Sequence, residues 1–320
     1  MIAQIQGDGT MAIDRYLLAK ELNALRELAL KKWAEDPLPV GRAAIERLKT
    51  EIDAHDLQQN ITELETDGYT ILPPGKAAHI DLIERIKQAM LRIMAATRTD
   101  AMGASSGLGS TLFHMLPEDP VFEEALMAPA PLTLLSYILG YRAKLSQCTG
   151  LIKNSDAPAL PLHADHSGKF PAPWSRLSNY SVVTWVLTDY TRENGALCVW
   201  PGSHRFSRPV PPDLIMAHDH EEIRVVEVPA GSVIIWHGSL WHGAVPRTAE
   251  GQRMALVLPH VRDPIQPQEI FWASTTPEMI ERNQSRFCTL MGLTSAGPWM
   301  QDGPNPARLA MGPTTGSQFE

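Results

Sequence analysis

Leu160-Pro161-Leu162-His163-Ala164-Asp165-His166-Ser167-Gly168 is the stretch that decides how the rest of the chain is read. As an extended segment it places His163 and Asp165 two residues apart. On a strand, positions i and i+2 share a face, so an imidazole and a carboxylate stand side by side. The same His-x-acid spacing recurs at His79-Ile80-Asp81 and His220-Glu221-Glu222. Eleven histidines at ordinary acid frequency give about one such pair by chance, so context has to separate the three. His79 and Asp81 open a helical pattern, where residues two apart diverge. His220 lies in the polar run His218-Asp219-His220-Glu221-Glu222, which reads as a solvated loop. Only the 163–165 pair sits in extended chain at the edge of a β-region.

Outward from this stretch the sequence has two textures. After Gly140, short apolar runs alternate with Pro, Gly and Asn, and strands are predicted over 143–153, 180–187, 196–200, 223–228, 232–236 and 253–260. Short strands separated by turns indicate a sandwich or barrel. Before Gly140 the period is helical. Leu17, Leu18, Leu22, Leu25, Leu28 and Ala29 recur every three or four residues until Asp36-Pro37-Leu38-Pro39. Further helices are predicted over 41–59, 77–97 and 121–139, the last capped by Gly140. Asp67-Gly68 leads into a strand over 69–72, and 105–110 reads as a connector. The expected organisation is an α+β chain with a mainly β core: a helical extension over 1–55, then a domain over 56–320 carrying the core and its supporting helices.

Two imidazoles and one carboxylate that leave three adjacent positions open are the facial triad of non-haem iron(II) oxygenases. The second imidazole has to come from a distant strand. Ile234-Ile235-Trp236-His237-Gly238-Ser239-Leu240-Trp241-His242-Gly243 offers His237 and His242. Such an oxygenase also needs a fixed cation for the far carboxylate of an oxo-acid cosubstrate, and the planar fork of arginine pairs with carboxylate through two hydrogen bonds. Arg253 opens the apolar run Met254-Ala255-Leu256-Val257-Leu258 and belongs on a strand, eleven residues after His242. Arg247, ten after His237, lies in the turn Pro246-Arg247-Thr248-Ala249-Glu250-Gly251 and is expected to face water. This favours His242 as donor, with His237 left as a residue behind the donors or on the pocket wall.

Composition limits the partners. The chain has 320 residues, 44% hydrophobic and 20% charged, which fits a folded protein. Its 28 basic against 36 acidic side chains give a net charge of −8, which disfavours nucleic acid. Cys148, Cys198 and Cys288 lie far apart, with no Cys-x-x-Cys pair, which excludes zinc ribbons and a disulfide framework and fits a reducing compartment. With no signal-like start and no apolar run long enough to span a bilayer, a cytoplasmic protein acting on a small molecule is expected, with no membrane partner. Oligomeric state leaves no signature in the sequence.

His163-x-Asp165, then Glu193-Asn194-Gly195-Ala196-Leu197 leading to Pro201-Gly202-Ser203-His204, then Gly231-Ser232-Val233-Ile234-Ile235 and His242 with Arg253, together resemble the phytanoyl-CoA dioxygenase family over roughly residues 60–262. The resemblance implies a double-stranded β-helix, the jelly-roll or cupin-like fold, and Fe(II)/2-oxoglutarate-dependent oxygenase chemistry with O2 as oxidant. It implies His163, Asp165 and His242 as iron ligands and Arg253 as the clamp on 2-oxoglutarate. Lys153 is a further candidate for contacting cosubstrate or substrate, with Thr184 and Trp185 on a strand lining the same cavity. His204 is not assigned to the metal. Some relatives carry a hydroxyl residue two positions after the distal histidine, whereas this chain has Ala244.

The implied reaction couples decarboxylation of 2-oxoglutarate to succinate and CO2 with oxidation of an unactivated C–H bond. A carboxylate at position 165 argues against halogenation, because related halogenases leave that ligand position without one. The segments 166–179 and 205–220 are expected at the cavity mouth, where Lys169, Arg176, Arg205 and Arg208 place positive charge. Trp174, Trp200, Trp236 and Trp241 suggest an apolar wall. The expected substrate is a small, largely apolar organic molecule. Two other classes fit parts of the pattern: a cupin-like binding protein that holds metal without turnover, and a zinc hydrolase, which leaves Arg253 without a task.

Overall fold

Helical spacing in the first 140 residues and strand spacing after them both translate into structure. The computed structural model describes residues 3–5, 11–13, 15–97, 110–294, 299–300 and 303–304. The helices are α1 (Arg15–Glu35), α2 (Gly41–Ala54), α3 (Gln58–Thr66), α4 (Asp81–Thr97), α5 (Pro120–Leu126), α6 (Pro129–Leu139), α7 (Pro277–Arg282) and α8 (Ser285–Leu290). The single helix expected over 41–59 is two, because the chain turns through Asp56, whose φ is +50°. That expected over 121–139 is also two. Pro129 has no N–H to continue α5, and instead it starts α6, which ends as expected at Gly140. Of the connector expected at 105–110, residues 105–109 lie outside the described residues.

The strands are β1 (Ala3–Ile5), β2 (Met11–Ile13), β3 (Tyr69–Leu72), β4 (Ser110–Leu112), β5 (Lys144–Leu145), β6 (Thr149–Lys153), β7 (Leu160–His163), β8 (Tyr180–Val186), β9 (Leu197–Val199), β10 (Arg224–Val225), β11 (Val233–His237), β12 (His242–Ala244), β13 (Arg253–Val261), β14 (Trp299–Met300) and β15 (Gly303–Pro304). The chain divides into two units. One comprises Met1–Ile45 with Ile270–Glu320, and the other, Glu46–Glu269, holds every element from α3 to β13.

Within Glu46–Glu269 two antiparallel sheets form the jelly roll. One has seven strands in the order β3-β11-β8-β13-β6-β4, with β5 also paired to β13; the other has four in the order β10-β9-β12-β7. Inward side chains of both sheets share one core, Val182, Val186, Ile234, Trp236 and Ala255 from the larger and Val199 from the smaller. Strict alternation on β6, β8 and β13 fixes what else faces inward. The register pairs Lys153 with Arg253, and Thr184 with Val257. A shift of one residue would move all four to the outer face, so the apolar packing also sets the register of the polar groups.

Candidate active site

His163 and His242 meet because β12 pairs antiparallel with β7 in a register that sets the two residues directly opposite. Their rings lie on one face with centroids 4.3 Å apart. β7 ends at His163, and Asp165 opens the turn that follows, held in place by a backbone bond from His166 N to Gly238 O of 2.9 Å. One ligand atom from each of His163, Asp165 and His242 lies within 4.8 Å of the others, the sole such group of three or more among the described residues.

The surroundings of these three groups prepare them as donors. His163 Nδ1 donates to the Pro161 carbonyl at 2.9 Å, and His242 Nδ1 to the Leu240 carbonyl at 3.0 Å. A carbonyl can only accept, so each ring carries a proton on Nδ1, which leaves Nε2 as the atom turned toward a metal. His242 Nε2 lies 3.8 Å from Asp165 Oδ2, and Trp236 Nε1 donates to that same oxygen at 3.1 Å. Burial, then the neighbouring His163, pushes the His242 imidazole down to about 4, so it is neutral and able to ligate at pH 7. Burial opposes charge on Asp165, but His242, His163, Lys169 and the Trp236 bond together outweigh it and hold the carboxyl below its ordinary range. Two imidazoles and one carboxylate, each oriented from behind, are a donor set that fits divalent iron.

The three donors open onto a cavity of about 300 Å³ whose wall includes Lys153, Thr184 and Arg253. Arg253 Nη1 donates to the Gly195 carbonyl, its guanidinium lies 4.6 Å from the Tyr190 ring centroid, and Nε has no partner. Lys153 is 1% exposed and its Nζ has no partner. Burial, then Arg253, lowers this ammonium to about 7. Among the described residues no carboxylate pairs with either cation. Unpaired buried charge costs several kcal/mol on the order-of-magnitude scale, so this end of the cavity is built for an anion. Ala244 is on the wall too, as are Thr149 and Thr184, whose hydroxyls have no partner.

Several expected positions differ. Trp185 is fully buried but absent from the cavity wall, because alternation on β8 turns it to the opposite face from Thr184. Arg247 does not face water. It is 2% exposed, with Nε donating to Asn194 Oδ1 at 2.9 Å and Nη2 to the Glu250 carbonyl at 2.7 Å. His237 points away from the cavity and stacks on His204 at 5.2 Å, in space that Gly68 leaves open: a Cβ there would come within 2.4 Å of the His204 ring. Of the four mouth cations, only Lys169 lines the cavity. Arg205 bonds the Glu65 carbonyl, and Arg208 lies over Trp241. Of the four tryptophans, only Trp236 is on the wall, while Trp174 and Trp241 form a separate cluster with Trp200 packed against it.

The sequence reading missed the far rim. Phe113, Gln147, Tyr180 and Gln268 line it, and Phe113 is half exposed. Tyr180 donates to Gln268 Oε1 at 3.1 Å. One carboxylate braces the three rim segments, because Glu269 accepts from His114 N and from Cys148 N, each at 3.1 Å. Gln147 continues the inward alternation 149, 151, 153 of β6, a signal present in the sequence. Phe113 follows Thr111 of β4 by two, a strand the sequence reading did not place, and Gln268 reaches the rim from a segment with no strand pattern.

Residues 64–255 match the phytanoyl-CoA dioxygenase family. The chain belongs to that family. Dioxygenase af480 of Aspergillus fumigatus is 29% identical over 192 residues, covering 58% of this chain and 59% of its own length. This chain therefore spans about three fifths of the length of that relative. HygX of Streptomyces hygroscopicus, solved with nickel and 2-oxoglutarate bound, is 16% identical with a TM-score of 0.55, over 65% of this chain and 88% of its own. SnoK from nogalamycin biosynthesis, a non-haem alpha-ketoglutarate-dependent carbocyclase, is 18% identical with a TM-score of 0.52, over 64% and 83%. These two likenesses establish the cupin-like jelly-roll fold of this family member.

Proposed function

We propose that this chain is an Fe(II)- and 2-oxoglutarate-dependent dioxygenase that oxidises an unactivated C–H bond of a small molecule. His163, Asp165 and His242 hold the iron, which when bound couples O2 activation to decarboxylation of the oxo-acid. The observation that carries this reading is the pairing of a ready donor set with two unpaired buried cations across one cavity. A zinc hydrolase or a non-catalytic cupin has no use for those cations. Arg253 and Lys153 hold the distal carboxylate of 2-oxoglutarate, and Thr184 offers the hydroxyl that position 244 lacks. Leu151, Val182, Leu197 and Val257 on the same wall keep bulk water from the reacting centre.

The rim supports a substrate class. The charged residues on the cavity wall are Lys153, Asp165, Lys169 and Arg253. With Asp165 on the iron and two cations on the cosubstrate, Lys169 is the charge left facing the substrate. A neutral or anionic, largely apolar molecule is therefore favoured over a cation, with its polar edge meeting Gln147, Tyr180 and Gln268. No helix among the described residues is long and apolar enough to cross a membrane, and the cysteine pattern supports a cytoplasmic site of action. The unit Glu46–Glu269 carries the chemistry, and of the extension expected over 1–55 it includes residues 46–55.

The test is anaerobic addition of Fe(II) and 2-oxoglutarate, which should give a weak visible charge-transfer band, followed by O2 and assay of succinate across a panel of neutral, anionic and cationic compounds. A protein that binds iron without developing that band is not a 2-oxoglutarate oxygenase.

A further inference from the structure

Arg247, Asn194 and Gly195 lie outside the donor set and off the cavity wall, yet they form a linked series that reaches the guanidinium of Arg253 through the Gly195 carbonyl. Asn194 and Arg247 form an isolated antiparallel bridge. Arg247 Nε donates to Asn194 Oδ1 at 2.9 Å, its Nη2 to the Glu250 carbonyl at 2.7 Å, and its backbone N to the Ala157 carbonyl at 2.9 Å. The arginine is thus fixed at three points and buried. Asn194 Nδ2 in turn donates to the Asp189 carbonyl, and Asn194 N to the Thr191 hydroxyl at 3.1 Å.

Gly195 is held between these residues with φ +71°, and a Cβ at this position would come within 2.9 Å of Arg247 Cβ. Its carbonyl is thereby aimed at Arg253 Nη1, which donates to it. The Tyr190 ring supports the same guanidinium from its face. A guanidinium pinned on one nitrogen and one face has little rotational freedom left, so its remaining N–H groups point in one direction.

We infer that Arg247 is a positioning residue for the cosubstrate clamp, acting through Asn194 and the Gly195 carbonyl to set how far into the cavity the Arg253 guanidinium stands. This rests on the reading of Arg253 as the group that binds the distal carboxylate. The distance from that guanidinium to the iron donors selects the length of the oxo-acid. Loosening the Asn194–Gly195 turn should therefore blur discrimination between 2-oxoglutarate and the one-carbon-longer 2-oxoadipate, as well as weaken binding.

The experiment uses the full chain loaded anaerobically with Fe(II), titrated with each oxo-acid while the charge-transfer band is followed, in wild type and in Arg247→Gln, Arg247→Lys, Asn194→Leu and Arg253→Gln. Iron affinity is measured separately. Arg247→Gln and Asn194→Leu should each raise the Kd for 2-oxoglutarate at least tenfold and shrink the 2-oxoglutarate/2-oxoadipate preference at least threefold, with iron affinity unchanged. Arg247→Lys, which keeps a donor toward Asn194, should recover part of the preference. A general loss of structure would lower iron affinity and near-UV circular dichroism together. Should Arg247→Gln fail to fold, Asn194→Leu, which leaves the buried cation bonded to Glu250, carries the test. Unchanged preference in the folded variants, with Arg253→Gln still losing 2-oxoglutarate, overturns the positioning role alone. Unchanged 2-oxoglutarate binding in Arg253→Gln overturns the clamp and this inference with it.

Discussion

The two sheets of the jelly roll divide the chemistry between them. The four-stranded sheet supplies the donors His163 and His242 from adjacent strands, with Asp165 just past the end of one. The seven-stranded sheet supplies the cations Lys153 and Arg253, also directly opposite each other on adjacent strands. On the first sheet the Nδ1 atoms of both imidazoles and Oδ2 of Asp165 are engaged, by Pro161, Leu240 and Trp236. On the second, Lys153 Nζ and Arg253 Nε are buried and have no partner. The donors of one sheet are braced from behind, whereas the cations of the other have buried N–H groups left without partners. In the proposed reading this difference separates metal loading from cosubstrate loading, so each should be open to disturbance without the other.

The strongest way to break this division is on the donor side. Asp165→Ala should abolish succinate formation, a loss on the order of a thousandfold or more, and should weaken iron binding measured by metal titration, since the site keeps only two neutral ligands. If this variant turns over at the wild-type rate, the donor assignment fails. Next in size, Arg253→Gln should raise the 2-oxoglutarate Kd about a hundredfold, roughly 3 kcal/mol for a buried charged pair, while iron affinity stays put. A parallel fall in iron affinity would show that the two sheets are not independent. Trp236→Phe removes the bond to Asp165 Oδ2 and should weaken iron about tenfold, read by competition with a chelator.

The smallest effect sharpens the contrast through pH. Burial lowers Lys153 to about 7, so the ammonium is present below that pH and lost above it. Binding a dianion favours the charged form. Affinity for 2-oxoglutarate should therefore be full below pH 7 and decline as pH rises through it, by at most about tenfold per unit. Lys153→Met should flatten the dependence, measured as Kd between pH 6 and 8.5. A profile in the variant as steep as in wild type would remove Lys153 from the cosubstrate end.

Much of the fold was readable because it depends on local periodicity. The early strand at 69–72, the long strands β8, β11 and β13, and the Gly140 helix end follow from alternation and turn residues within short windows. β12 was not readable: three residues with two small side chains carry no periodic signal. Yet it delivers His242 to the side of His163, a residue that only its spacing to Arg253 favoured over His237 in the sequence. Trp185 and Arg247 were misplaced for related reasons. Next to Thr184, Trp185 required the phase of the strand as well as its existence. Arg247 sits in a turn by sequence, and only the return of the 193–195 hairpin buries it.

Read alone, the chain showed most helices and the longer strands, which residue types can ligate iron, and the eleven-residue interval between His242 and Arg253. These are properties of neighbours along the chain, where spacing and side-chain chemistry suffice. Tertiary structure alone decided which face each strand turns inward, which of the aromatic and basic residues reach the cavity, and that Phe113, Gln147 and Gln268 meet at one rim around Glu269. Those outcomes depend on register between strands far apart in sequence. A one-residue slip costs little locally but inverts every side chain, so only the packing of the two sheets can settle it.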